Sequence, residues 1–443
     1  MKVTRTFWTI VIIAFACLFA GFVVNQSALF FSVIYLRVAL IAGLFIIVNG
    51  VLGALSSREN SVERFQRFLR LQVGQIFEER FEYKNNSSLG KIWIQIADEC
   101  KIPNKNGSKV ITNIGRHQER GYISRTLLTK RGAFLLGPTH IITGDPFGLF
   151  RFDEEISPTK TLIVLPYMVE LIRFLDPPGF LPGGRALHLK SQEVTAHASG
   201  IREYAPGDPL NRIHWKSTAR RNKYMVKEFE QDPQSDLWIM LDAERSCHIQ
   251  GEESDFSREI DPLWLWTRKK EFKLPKDSFE YGVSAAASIA NYYIKVGKAV
   301  GVACAGETTT VLPVEKGERQ LGKILENFAF LKPDGKLPLH GLVEMQIGQI
   351  ARGSTVVLIT ASVFNTISVA INELLTRKLN PIIILIDQVS FGGSEDSGQI
   401  IQFLEENGIS YVLVRYGDDL KEKLQGIVKY YPMDKYLPLS IAG

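Results

Sequence analysis

Cysteine is scarce in this chain, and none is placed for pairing. Cys17, Cys100, Cys247 and Cys304 stand alone among 443 residues, with no Cys-x-x-Cys pair and no metal-ligand spacing. That pattern excludes a disulfide framework and a cysteine-based metal site, and it suits a reducing compartment. Strong net charge is missing as well. Lys and Arg number 52 against 47 Asp and Glu, a formal +5, which is little for a chain whose main partner is nucleic acid.

Catalytic motifs are equally thin. Gly317 to Ile324, "GERQLGKI", has phosphate-loop spacing, but Ile324 stands where a magnesium-holding Ser or Thr is needed. Ser88 and Ser157 open Ser-x-x-Lys matches in turn-rich sequence, without the companion motifs of a penicillin-binding enzyme. His214 and Asp208 lack a Ser or Cys in a nucleophile elbow. No enzyme is expected.

Charge is wholly absent from Phe7 to Val24, an 18-residue apolar run long enough to cross a bilayer. A second apolar run, Ala28 to Leu55, follows a short polar turn and is interrupted by Arg37. Arginine at a bilayer centre costs about 3 kcal/mol, while each Leu, Ile, Val or Phe gains about 0.3–0.6 kcal/mol. Seventeen such residues lie between Leu29 and Leu55, so insertion wins. Arg37 then either snorkels towards the nearer interface or pairs with a partner helix. Lys2 and Arg5 precede the first helix, and Arg58, Arg64, Arg67 and Arg70 follow the second. The positive-inside rule puts both ends of this hairpin (residues 1–57) in the cytoplasm of a cell membrane.

A chain of this length calls for two or three domains. Residues 58–170 alternate with a period of two between close-set turns, as in "KIWIQIADE", which predicts a β-sandwich-like domain with Ile92, Ile94 and Ile96 on one face. "GDPFGLF" is read as a turn that closes a strand, with Phe147 and Leu149 in the core. Residues 171–235 form a linker that includes the Pro/Gly-rich "DPPGFLPGGR", Asp176 to Arg185. From 236 to 443, apolar strands such as "DLWIMLD", "STVVLITAS" and "NPIIILID" alternate with helical stretches. This predicts an α/β doubly wound sheet, with an insertion at 248–276 that carries Trp264, Trp266, Arg268, Lys269 and Lys270.

Ligands of such sheets bind at the carboxyl ends of the strands. The first strand ends at Asp242, where a von Willebrand factor A domain carries an Asp-x-Ser-x-Ser metal loop. Here the loop reads Asp242, Glu244 and Ser246, with Ala361 where a further acid would stand and Thr360 beside it. The set is degenerate for magnesium or manganese, which want six oxygens. No cofactor is expected.

The densest signal is "GIREYAPGDPLNRIHWKSTARRNKYMVKEFE". Arg212, His214 and Lys216 alternate with Ile213 and Trp215, as in a half-buried strand, and Arg220, Arg221, Lys223 and Lys227 extend a basic face. Arginine suits capture of carboxylate or phosphate. The alternative is internal: Arg202 and Arg212 would pair with Asp208, Glu228 or Glu230 and lock the β-rich part to the α/β part.

This segment resembles the signature of the domain of unknown function 58 (DUF58) family. The matching residues are Arg202, Tyr204, Gly207, Asp208, Arg212, Ile213, Trp215, Lys216, Ala219, Arg220, Lys227 and Glu228. The resemblance extends to the hairpin, to "KRGAFLLG" and "DPFGLF" and to the α/β part. It implies a bacterial or archaeal membrane-anchored protein with a von Willebrand A-like domain. It also implies an adaptor or assembly role beside a MoxR-type AAA+ ATPase and neighbouring membrane proteins. Binding of anionic lipid or an envelope precursor by the basic segment is the alternative function, and a metal-dependent enzyme at Asp242 a third.

Overall fold

The computed structural model describes residues 1–24, 29–105, 107–156, 160–175, 198–205, 210, 213–229, 236–251, 272–363 and 366–426. The chain divides into two compact units. Met1–Tyr167 makes most of the first, and the second includes Met168–Glu252, Leu274–Leu325 and Leu331–Gly443.

The first unit begins with α1 (Arg5–Val24) and α2 (Leu29–Ser56), packed side by side. Both are apolar around their whole circumference and largely outside the protein core, and both are long enough to span a bilayer. Arg37 is exposed on α2. The described residues of this unit also form eleven strands: β1 (Lys2–Val3), β2 (Asn60–Gln66), β3 (Arg70–Gln72), β4 (Ile76–Asn85), β5 (Lys91–Asp98), β6 (Lys109–Ile114), β7 (Glu119–Leu127), β8 (Gly132–Leu136), β9 (Thr139–Gly144), β10 (Phe150–Ile156) and β11 (Lys160–Leu165). They form one five-stranded sheet, β1-β10-β9-β5-β6, and two three-stranded sheets, β2-β4-β7 and β3-β11-β8.

Alternation along the strands builds two apolar clusters. Phe81, Tyr83, Ile94, Ile96, Ile114 and Ile141 form one; Phe77, Leu128, Leu136, Leu162 and Val164 belong to the other. Ile92, expected beside Ile94 and Ile96, is exposed near the start of β5. Phe147 also departs from expectation. Leu149 is buried, but the Phe147 ring projects from the turn between β9 and β10.

The hairpin is tied to this unit at both ends. Val3 and Lys2 pair with Phe150 and Arg151 of β10. The other end of α2 runs directly into β2. Gly53 of α2 lies so close to the β strands that a Cβ there would meet Phe152 at 2.8 Å.

The second unit holds a six-stranded sheet of β14 (Leu237–Leu241), β15 (Val300–Ala305), β16 (Thr309–Glu315), β17 (Thr355–Thr360), β18 (Asn380–Ile386) and β19 (Ser410–Val414). Its order is β16-β15-β14-β17-β18-β19, and every pairing is parallel except that of the edge strand β16. The central strands are buried along their length, which explains their unbroken apolar text. Helices Leu339–Gln346 and Thr366–Thr376 pack on one face against Met240, Val356, Leu358 and Ile383. On the other face, helix Ser278–Lys295 brings Gly282 against Leu241 and Ile359. The short helix Leu339–Gln346 and the antiparallel placement of β16 were not anticipated from the sequence.

Candidate functional site

Two places in the second unit gather the residues singled out above. The first is the carboxyl end of the sheet. Chain order reverses at β14, which has β15 on one side and β17 on the other, so the loops after β14 and β17 flank the switch point. Asp242 follows β14 and is buried there. Its Oδ2 accepts the hydroxyl of Thr360 at 2.6 Å, and its Oδ1 accepts the Glu244 N–H at 3.0 Å. Burial pushes the Asp242 carboxyl up to about 6, against the pull of these two hydrogen bonds.

Glu244, Ser246 and Cys247 fold back over this loop. Ser246 donates to Glu244 Oε1 at 2.6 Å, and the Cys247 thiol points at Glu244 Oε2 from 3.6 Å. Burial pushes the Cys247 thiol up to about 12, so it stays protonated. His248 sits 3.0 Å through Nε2 from the Asp242 carbonyl, and burial holds its pKa down to about 4. The neutral ring therefore donates from Nε2, leaving Nδ1 to face the Ser278 hydroxyl at 3.4 Å.

Ligand atoms of Asp242, Glu244 and Cys247 lie within 4.8 Å of one another, close enough to test as a cation site. As arranged, they do not make a shell for a hard cation. The Asp242 oxygens already hold Thr360 and the Glu244 amide, and Glu244 holds Ser246. Cys247 offers a thiol, and Ala361 offers no oxygen from its side chain. The sequence pointed to Asp242, Glu244, Ser246 and Thr360, and the structure brings them together. Cys247 and His248 were not read as part of this site, although both lie within seven residues of the end of β14.

The second place is the basic segment. β12 (Ala198–Glu203) and β13 (Met225–Phe229) form an antiparallel ribbon, with α3 (Trp215–Arg221) in the connection between them. The expected half-buried strand through Trp215 is therefore a helix. His214 determines this, because its Nδ1 accepts the Ser217 N–H at 3.2 Å and caps the first turn. Asn222 ends the helix in the left-handed conformation, φ 52°.

One side of the segment is buried. Ile213 bridges to Val226, His214 N–H donates to the Met225 carbonyl at 2.8 Å, and Ile213, Met225 and Val226 are all covered. The other side is open. Trp215 is 66% exposed and Tyr224 61%, with Lys216, Arg220, Arg221 and Lys223 also exposed around them. Lys223 reaches Glu203 at 3.0 Å, an exposed pair of little energetic weight.

Tyr204 N–H donates to the Tyr224 carbonyl at 2.8 Å, and Arg202 Nη1 donates to the carbonyl of Glu203. Lys227 and Glu228 lie on β13 opposite Ile201 and Gly200. Gly207, Asp208, Arg212 and Glu230 lie outside the described residues, as do Trp264, Trp266, Arg268, Lys269 and Lys270. The proposed interdomain pairing of Arg212 with Asp208 is among them. The phosphate-loop match is a surface helix turn. Lys323 pairs with Glu315 at 2.7 Å and Ile324 is in the core.

Residues 200–260 match the family described as protein of unknown function DUF58. The similarity to that family is confined to this segment, which includes the basic ribbon and the first strand of the six-stranded sheet. A 222-residue stretch is 23% identical to the uncharacterized protein YeaD of Bacillus subtilis (strain 168), covering 49% of this chain and 48% of that one. The chain thus spans about half the length of this curated relative. A solved β-glucosidase from Listeria innocua, in complex with gluconolactone, is similar at 12% identity over 22% of this chain and 16% of that chain, TM-score 0.15. A Paenibacillus sp. cycloisomaltooligosaccharide glucanotransferase is similar at 12% identity over 80% and 53%, also with TM-score 0.15. Likeness at that level carries no argument about fold or function.

Proposed function

We propose that this chain is a membrane-anchored, non-catalytic docking protein whose basic segment receives a partner on the cytoplasmic side. One observation carries the reading. The family-defining segment buries Ile213, Met225 and Val226 but leaves Trp215 and Tyr224 in the open among four cations. Exposed aromatic rings in a segment that also exposes basic groups are the composition of a binding hot spot, whereas a purely internal lock would cover the rings.

The neighbouring chemistry supports a non-enzymatic reading. At the switch point the acid, the imidazole and the thiol are engaged with one another's loop and held in neutral or hydrogen-bonded forms. The sheet order, with its antiparallel edge strand β16, supports a von Willebrand A-like domain, to which the DUF58 resemblance points. The same resemblance makes a MoxR-type AAA+ ATPase the partner, acting with this chain on neighbouring membrane proteins or the cell envelope. Attachment of both hairpin ends to one β unit supports the cytoplasmic placement of both.

The test is co-purification from native membranes of the full chain and of a Trp215→Ala/Arg220→Ala/Arg221→Ala variant, with the AAA+ ATPase identified by mass. The native chain should retain the ATPase, and the variant should lose it while melting at the same temperature. Retention by both would overturn the reading. Binding that collapses in moderate salt and transfers to protein-free anionic vesicles would favour the lipid alternative instead.

A further inference from the structure

The sequence "DPFGLF" has no role in the docking surface, and its structure is unusual for a soluble turn. Pro146 and Phe147 are exposed at its tip, Phe147 to 63%, while Asp145, Leu149 and Phe150 are buried beneath it. The tip does not point away from the hairpin. The Phe147 ring lies 5.0 Å from that of Phe45 in α2, and Phe150 lies 5.4 Å from Phe7 in α1. Gly50 of α2 faces the Phe150 ring with no side chain between.

These contacts fix how deep the tip sits if the hairpin spans a bilayer. The uncharged run of α1 is 18 residues, about 27 Å of helix, and must all lie in a hydrocarbon core about 30 Å thick. The core boundary therefore falls at about Phe7, the level of Phe150. Helix α2 gives the same answer. Its 28 residues make about 42 Å, about 12 Å more than the core needs. Phe45 stands 11 residues before Ser56, about 16 Å from that end, so it lies inside the core even if all the surplus projects on the β side. Phe147 lies beside it.

A second observation concerns the turn's backbone. Hydrocarbon tolerates irregular chain only where its polar groups are satisfied internally. Pro146 brings no N–H at all. Asp145 accepts the Phe147 N–H at 3.0 Å and the Phe150 N–H at 2.6 Å through its carboxylate, and its carbonyl accepts the Gly148 N–H at 3.2 Å. The Gly148 carbonyl accepts Thr4 Oγ1 at 2.7 Å and Thr6 Oγ1 at 3.1 Å. The Leu149 carbonyl accepts the Thr4 N–H at 3.0 Å. Lys2, Arg5, Arg58 and Arg151, near the ends of the two helices and on β10, are exposed, as contacts with anionic headgroups require.

We infer that the Pro146-Phe147-Gly148 tip of the β unit is embedded in the acyl region of the bilayer beside α2, as a third membrane contact that fixes the unit's orientation. The inference rests on the hairpin spanning the membrane, as proposed above.

The test uses the full chain in nanodiscs of phosphatidylethanolamine and phosphatidylglycerol, with photoreactive benzoylphenylalanine at one position at a time. Position 147 is compared with Ile41, exposed on α2, and with Val110, exposed on β6 at the far edge of the five-stranded sheet. Irradiation should yield phospholipid adducts at 147 and 41 and none at 110. Adducts at 41 with none at 147 would overturn the inference and leave the membrane reading standing. None at 41 would overturn the membrane reading itself. Should the bulkier label disturb folding at 147, Phe147→Trp with acyl-brominated lipid gives the same decision: the added emission is quenched if the tip is embedded, and unquenched emission rejects it.

Discussion

Lys91 Nζ lies 3.0 Å from the Ser56 carbonyl oxygen, at the residue that ends the second apolar helix. The same amine donates to the Arg58 carbonyl at 2.6 Å and to Asn60 Oδ1 at 2.5 Å. It is a buried cation at a helix C-terminus, where orphan carbonyls and the helix dipole both favour positive charge. Burial draws its pKa down to about 8, so it remains largely protonated at neutral pH. The amine thereby staples α2 to β5. Replacing it by Met in Lys91→Met should cost about 2–4 kcal/mol, because charged donors are lost and buried carbonyls stay unpaired. Calorimetry of the detergent-purified chain would show this as a lowered first transition. A change under about 0.5 kcal/mol would mean that the amine is incidental.

A second buried network joins two sheets of the β unit. Arg64 of β2 and Lys105 both reach Glu79 of β4 and Asp98 of β5, at 2.5–3.3 Å. Two cations balance two carboxylates, so removing one member strands a buried charge. Asp98→Asn should destabilise this unit by about 3–5 kcal/mol, and Asp98→Asn with Lys105→Met should recover part of that loss. Urea unfolding of both variants decides. A double variant as unstable as the sum of its single changes would rule out coupling.

The switch point predicts opposing pH effects. Asp242 has a folded pKa near 6 against 3.8 unfolded, so the native state holds this proton more tightly. Its contribution to stability is complete below about pH 4 and is lost as pH rises towards 6, on the order of 3 kcal/mol. His248 is shifted the other way, from 6.5 to about 4, so its contribution is present above pH 6.5 and is lost as pH falls towards 4. The two slopes oppose each other between pH 4 and 6. Asp242→Asn should therefore lose stability more steeply than the parent on acidification from pH 6.5 to 4, as read from melting temperatures. Parallel curves for the two proteins would refute the assignment.

Divalent cations provide a separate check of the same loop. With the Asp242 and Glu244 oxygens already engaged, millimolar magnesium or manganese should leave the melting temperature unchanged. A rise that saturates and disappears in Asp242→Asn would establish a cation site there.

Much of the architecture was legible from hydrophobic period alone. The hairpin, the buried parallel strands and the position of Asp242 at a strand end all follow from it. What period could not reveal is informative. Arg212 to Lys216 alternates like a strand, yet a local hydrogen bond from the Ser217 N–H to His214 Nδ1 turns the following residues into helix. Phe147 is apolar and was expected in the core, because sequence does not distinguish a buried ring from an exposed one that touches a single neighbouring ring, here Phe45 of α2. Lys91 looked like a turn residue in a failed motif, since its partners are carbonyls 33 and 35 residues away and an Asn side chain 31 residues away, which leave no trace in local spacing.

The most direct measurement of the docking claim is binding of the purified MoxR-type ATPase to the full chain in nanodiscs, by biolayer interferometry at two salt concentrations. The account predicts saturable binding at physiological salt, weakened at least tenfold by Trp215→Ala/Arg220→Ala/Arg221→Ala with no change in melting temperature. Equal affinity for the native chain and an equally stable variant would contradict it.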